Sequence, residues 1–140
     1  MVAPPDPATE ALEALARDLV ADASLSWDWD GRFEMVVAAF PQAHGDAVLA
    51  TVAKHAPQQY TTAELATGPT RVRDVAAALG GLRPGQRLLT SDPGAAVLIV
   101  CPWWPWNGGE RISLRVGYDA GRDVATATRL AREFKTWFSL

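Results

Sequence analysis

Cys101, His44 and His55 are the side chains best suited to nucleophilic or metal chemistry in this chain, which holds one cysteine and two histidines. Nucleophilic catalysis needs a nucleophile beside a base that a third group orients. Cys101 closes the apolar run "AAVLIVC" and precedes Pro102, the setting of a buried, inert thiol. No Gly-x-Ser-x-Gly elbow stands elsewhere. One cysteine also rules out an internal disulfide and a cysteine-based zinc site. His44 and His55 bracket a helical stretch and fall roughly 16 Å apart along its axis, too far to share a metal. His55, in the last turn, suits the negative end of the helix dipole.

Phosphate chemistry fares no better. "GGLRPG" is glycine-rich and carries Arg83, but it lacks the Gly-Lys-Ser/Thr of a P-loop and reads as loop punctuation. Asp28, Asp30 and Glu34 could flank a glycoside, yet strand alternation puts them on a polar sheet face with no apolar wall to shift a pKa. The expectation is a chain that is not an enzyme and holds no cofactor and no metal.

The aromatic residues carry the stronger signal. "CPWWPWNGGE" holds Trp103, Trp104 and Trp106, half of the six tryptophans, beside Pro102 and Pro105. The prolines argue against regular structure and for a stiffened loop. Adjacent Trp103 and Trp104 point to opposite sides of an extended segment, so at least one loop indole is expected to be partly exposed. Core lid and partner contact explain such a loop equally well. At the C-terminus, "FKTWFSL" adds Phe134, Trp137 and Phe138, whose burial a short terminal helix would complete against a partner. Trp103, Trp104, Trp106, Trp137 and Phe138 are therefore the candidate partner-binding residues. Glu110, Arg111 and Arg115 are candidate anchors for a ligand beneath the loop.

The elements that must position these groups follow from periodicity. "TEALEALARDLVAD" sets Leu12, Leu15, Leu19 and Val20 on one helical stripe. "SLSWDWDGRFEMVVAAF" reads as a hairpin turning at Asp30-Gly31, with Leu25, Trp27 and Trp29 on its apolar side. "HGDAVLATVAKH" is a second helix ended by Pro57. "TTAEL" and "PTRVRDVAAALGGL" give short helices, the latter capped by Thr70 and stopped by Gly80-Gly81. "QRLLTSDPGAAVLIVC" is a hairpin around Asp92-Pro93-Gly94. "RISLRVGY" alternates cleanly, and "DVATATRLAREFKTWFSL" closes the chain as a helix with an apolar face.

Strands with one apolar side need cover on that side only. The expected fold is α+β: a two-layer sandwich of a mainly antiparallel sheet of about 4–5 strands with helices on one face. The wet face would carry an acidic strip (Ser24, Ser26, Asp28, Asp30) and a basic one (Arg111, Ser113, Arg115), able to pair across strands. Trp27-x-Trp29-Asp30-Gly31 also echoes Trp104-x-Trp106-Asn107-Gly108, and each is followed by a strand and a helix. A duplicated ββα unit would produce this echo and set five tryptophans about a pseudo-twofold axis; shared turn chemistry would produce it too.

Residues 1–7 read as a flexible Pro-rich leader and 8–140 as a single domain. The net charge of -3 disfavours nucleic acid. No signal peptide and no membrane span is apparent, so a cytoplasmic protein is expected. The order of elements and the mild acidity resemble the general plan of bacterial secretion chaperones and related adaptor domains, a likeness of architecture carried by no motif. The function expected is a non-catalytic interaction module: an adaptor, a chaperone-like subunit or a homodimer, binding another protein or itself. The alternative is a small-molecule-binding domain or small enzyme with a pocket beneath the tryptophan loop.

Overall fold

A computed structural model of the chain describes residues 7–140. The leader expected over 1–7 lies outside them except for Pro7, which opens the first helix. In chain order the elements are α1 (Pro7–Val20), β1 (Asp28–Asp30), β2 (Met35–Pro41), α2 (Gly45–His55), β3 (Gln58–Tyr60), α3 (Thr62–Ala66) and α4 (Thr70–Ala78). Then follow β4 (Arg87–Thr90), β5 (Leu98–Trp106), β6 (Arg111–Asp119) and α5 (Val124–Glu133). Short 3₁₀ turns at Gln42–His44 and Phe134–Phe138 complete the chain. The fold is an α+β sandwich on a six-stranded antiparallel sheet ordered β1-β2-β6-β5-β4-β3. No helix among the described residues is long and apolar enough to cross a membrane.

The alternation in β6 works as its sequence suggests. Ile112, Leu114 and Val116 turn to the first face, where they meet Val36 and Phe40 of β2 and Ile99, Cys101 and Trp103 of β5. Above them lie Leu12, Leu15 and Leu19 of α1, Val48 and Val52 of α2, Leu130 of α5, and Phe134 and Phe138. Each large apolar side chain sealed there contributes about 1.5–3 kcal/mol. The terminal aromatics thus find their cover inside the chain: Phe138 packs edge-on against Trp27 at 4.8 Å and Phe134 against Tyr118 at 5.2 Å. No partner is needed to bury them.

The second face is where the layout goes beyond helices on one side. Leu88, Leu98, Val100 and Met35 form a separate cluster there with Val72 and Ala76 of α4 and Leu79 just past its end. Residues that alternate along one strand feed opposite faces, so β4 and β5 are covered on both. Gly81 bonds back to the Ala76 carbonyl at 2.8 Å and, like Gly80, takes positive φ, which stops α4 as expected. Thr70 does not cap this helix. Extended Pro69 takes that place, and its carbonyl accepts from the Arg73 N–H at 3.0 Å.

The stretch expected as a tryptophan loop is strand. β5 runs through both prolines to Trp106. Pro105 lies past the end of β4, where β5 has one neighbour, and paired positions with β6 skip only Cys101 and Pro102. A strand tolerates proline where the ladder does not need its N–H.

The sheet order β1-β2-β6-β5, with a helix after β2 and after β6, is the topology of a duplicated ββα unit. The register differs from the sequence echo. The turn 31–34 joins paired Asp30 and Met35, as 107–110 joins paired Trp106 and Arg111. In that frame Ala38 corresponds to Leu114, its own direct partner across β2 and β6. The axis therefore equates Asp30, not Trp29, with Trp106. The Trp-x-Trp echo is one residue out of step, and its tryptophans fall on opposite faces.

Candidate functional site

α4 covers only the β4–β5 side of the second face. On the β1–β2–β6 side, Asp28 and Ala39 are exposed and Val37, Arg111, Ser113 and Arg115 are half-buried. The expected acidic and basic strips meet here: Arg115 Nε donates to Asp30 Oδ2 at 2.8 Å, and each side chain is only 14% exposed. Burial pushes the Asp30 carboxyl up, but the hydrogen bond and charge of Arg115 outweigh it and hold the group below its ordinary range. The Arg115 guanidinium also lies over the Trp104 ring at 4.5 Å. Phe33, from the β1–β2 turn, meets Trp104 edge-on at 6.0 Å, and Arg32 lies over Phe33 at 4.2 Å. The result is a ladder of two rings held between two cations, Arg32–Phe33–Trp104–Arg115, anchored at one end by Asp30.

The five aromatic candidates separate sharply. Trp103 is buried on the first face against Phe40 at 5.7 Å, and Phe138 is buried likewise; both are core. Trp137 is half-buried beside Phe134. Trp104 is half-buried within the ladder, and its indole N–H finds no acceptor. Trp106 alone of the five is open, 47% exposed at the tip of the β5–β6 hairpin with Arg111 beside its ring at 5.8 Å. Trp29, which sequence placed in the core, is exposed at the β1 edge under the Lys135 ammonium.

A hollow of about 270 Å³ does lie beneath the hairpin, walled by Trp103, Pro105, Gln42 and Arg87. None of its proposed anchors lines it. Glu110 accepts from the Asn107 side chain, Arg111 sits on Trp106, and Arg115 is spent on Asp30 and Trp104.

Two larger hollows share Arg32, Phe33 and Leu79 and together form a groove between the β1–β2 turn and α4. One, of about 550 Å³, is lined by the apolar Met35, Val75, Leu79 and Val100 and by the polar Glu34, Tyr118 and Asp119. The other, of about 280 Å³, is bounded by Arg32, Arg83, Gln86 and Trp104. Burial first, and then the Glu34 charge, push the Tyr118 hydroxyl above its ordinary pKa. Asp119 is committed: Arg71 Nε donates to it at 2.8 Å. Arg71 spends its remaining donors on the carbonyls of Pro93, Ala95, Ala96 and Asp119, stitching α4 to the β4–β5 connection.

The groups with intrinsic reactivity are arranged without a relay. Cys101 is fully buried, and burial drives its thiol pKa far up. Ser24, His44 and Asp22 do converge, a cluster the sequence reading missed because a loop brings it together. Ser24 Oγ and Asp22 Oδ2 both approach the same ring nitrogen, His44 Nε2, at 2.7 and 2.8 Å. A relay needs the nucleophile and the orienting acid on opposite nitrogens of the ring. His55, at the end of α2, pairs with Asp18 of α1 at 2.7 Å. Among the described residues no cluster of three or more His, Cys, Asp or Glu could hold a metal ion. Neither a family model, nor a curated protein, nor a solved structure matches this chain.

Proposed function

We propose that this chain is a non-catalytic protein-interaction module that receives a partner on the uncovered half of its second sheet face, with the tip of the β5–β6 hairpin as the anchor. The observation that carries the reading is the exposure of Trp106 on a paired strand while Trp103 is buried and Trp104 half-buried. A large aromatic ring kept in water by a stiff backbone loses little freedom on binding, and tryptophan is the residue most enriched among interface hot spots.

A second copy of the chain suits this surface. Asp30 and Arg115 neutralise each other, which leaves Asp28 on β1 and Arg111 on β6 as the outer charges of the face. In a twofold contact each residue meets its counterpart's complement, so the acidic edge of one copy would face the basic strip of the other. Static light scattering over a concentration series tests this. Wild type should scatter as a dimer, and Trp106→Ala as a monomer with an unchanged circular dichroism spectrum. A monomeric wild type would contradict self-association through this face, as would a dimer indifferent to Trp106→Ala.

A further inference from the structure

We infer that the groove between the β1–β2 turn and α4 docks an extended segment of another protein that carries carboxylates beside a bulky apolar side chain. This site is distinct from the hairpin tip, and it stands whether or not the chain self-associates.

The larger hollow, about 550 Å³, has room for a bulky apolar side chain, and Met35, Val75, Leu79 and Val100 line it together with Arg32, Glu34 and Asp119. The smaller hollow adjoins it through Phe33 and is cationic. Arg32 is 68% exposed, and its guanidinium rests on the Phe33 ring at 4.2 Å. A guanidinium lying over a ring keeps its in-plane N–H groups free, and among the described residues none of them donates a hydrogen bond; the ion pair with Asp30 is a long one, at 4.0 Å. Arg83 lines the same hollow, is exposed, and forms no ion pair among the described residues. Two arginine forks, one of them held on a ring, thus face a space with an apolar compartment next door. Glu34 and Asp119 line the larger hollow, whereas Arg83 lines only the smaller one, so the carboxylates of such a segment belong at the smaller hollow.

The charge complementarity singles out the occupant. A basic segment would meet Arg32 and Arg83 and be repelled. An acidic segment without an apolar residue would leave the larger hollow unfilled. Bidentate carboxylate–arginine contacts at such forks are charge-assisted hydrogen bonds, stronger than neutral ones.

The test is fluorescence anisotropy with three labelled peptides, EELFGG, KKLFGG and EEGGGG, titrated with the full chain. EELFGG should bind, and the other two about tenfold more weakly or worse. The double variant Arg32→Ala/Arg83→Ala should lose about tenfold for EELFGG at an unchanged melting temperature. Trp106→Ala should bind it as wild type does, which separates this groove from the hairpin interface. Equal binding of EELFGG and KKLFGG, or binding of none of the three, would overturn the inference. So would a double variant that melts earlier yet binds EELFGG unchanged, because the arginines would then serve the C-terminal end of α4 rather than a ligand.

Discussion

The two faces of one sheet have been given opposite tasks. On the first, β2, β6 and β5 present Val36, Leu114 and Cys101 to four helical segments, and every one of these side chains is sealed. On the second, α4 seals only the strip above β4 and β5, while the β1–β2–β6 strip is left to an ion pair, a ladder of rings and cations, and solvent. The difference separates the side chains that hold the fold from the surface we propose for recognition, and a strand such as β6 contributes to both because its alternate residues belong to different faces.

That division ranks substitutions. The largest effect belongs to the sealed face: Phe134→Ala should cost about 4 kcal/mol, read as a shift in denaturation midpoint. Leu98→Ala, on the second face beneath α4, should cost about 3 kcal/mol. A value below about 1 kcal/mol would mean that α4 is a loose cover and the second face is open throughout.

Smaller still is Asp30→Asn, at about 2 kcal/mol near neutral pH, because it leaves Arg115 half-buried beside an uncharged partner. Its pH dependence has a definite sign. The Asp30 carboxyl is held below its unfolded value, so its contribution is complete above roughly pH 4 and fades as pH falls through the lowered native pKa. Asp18, held down by His55, and Asp22, held down by Ser24 and His44, add to the same acid loss. The variant should therefore approach wild type in stability as the solution is acidified. An unchanged gap between the two down to about pH 2 would show that the ion pair is not the source. Least of all, Trp106→Ala should change stability by no more than about 0.5 kcal/mol, since the ring contributes to no buried cluster.

Much of this contrast is legible in the sequence, and the illegible part has physical causes. The alternation of "RISLRVGY" fixes which residues of β6 face the helices, and the charged strips of β1 and β6 announce the Asp30–Arg115 pair. The unbroken run Val97–Cys101 carries a further signal, because a strand apolar on both sides must be covered on both. That run points to the layer that α4 supplies. By contrast, β5 continues through Pro102, in register with Leu88 of β4, and Pro105, in register with Ile112 of β6, a fact of pairing rather than of local sequence. The groove is equally non-local. Arg32 and Phe33 belong to one turn, and Arg83 follows α4 far along the chain, so nothing in their spacing places them together. The Trp-x-Trp echo misled by one residue, enough to exchange the faces of a strand.

Oxidative footprinting of the intact chain at increasing concentration tests the central division most directly. Trp29 and Trp106 offer a matched pair, 38% and 47% exposed, one at the β1 edge and one at the hairpin tip. As copies associate, Trp106 should become protected together with Ala39 and Val37, while Trp29 oxidises at a constant rate. Equal protection of both rings, or of neither, would contradict the assignment of recognition to the uncovered half of the second face.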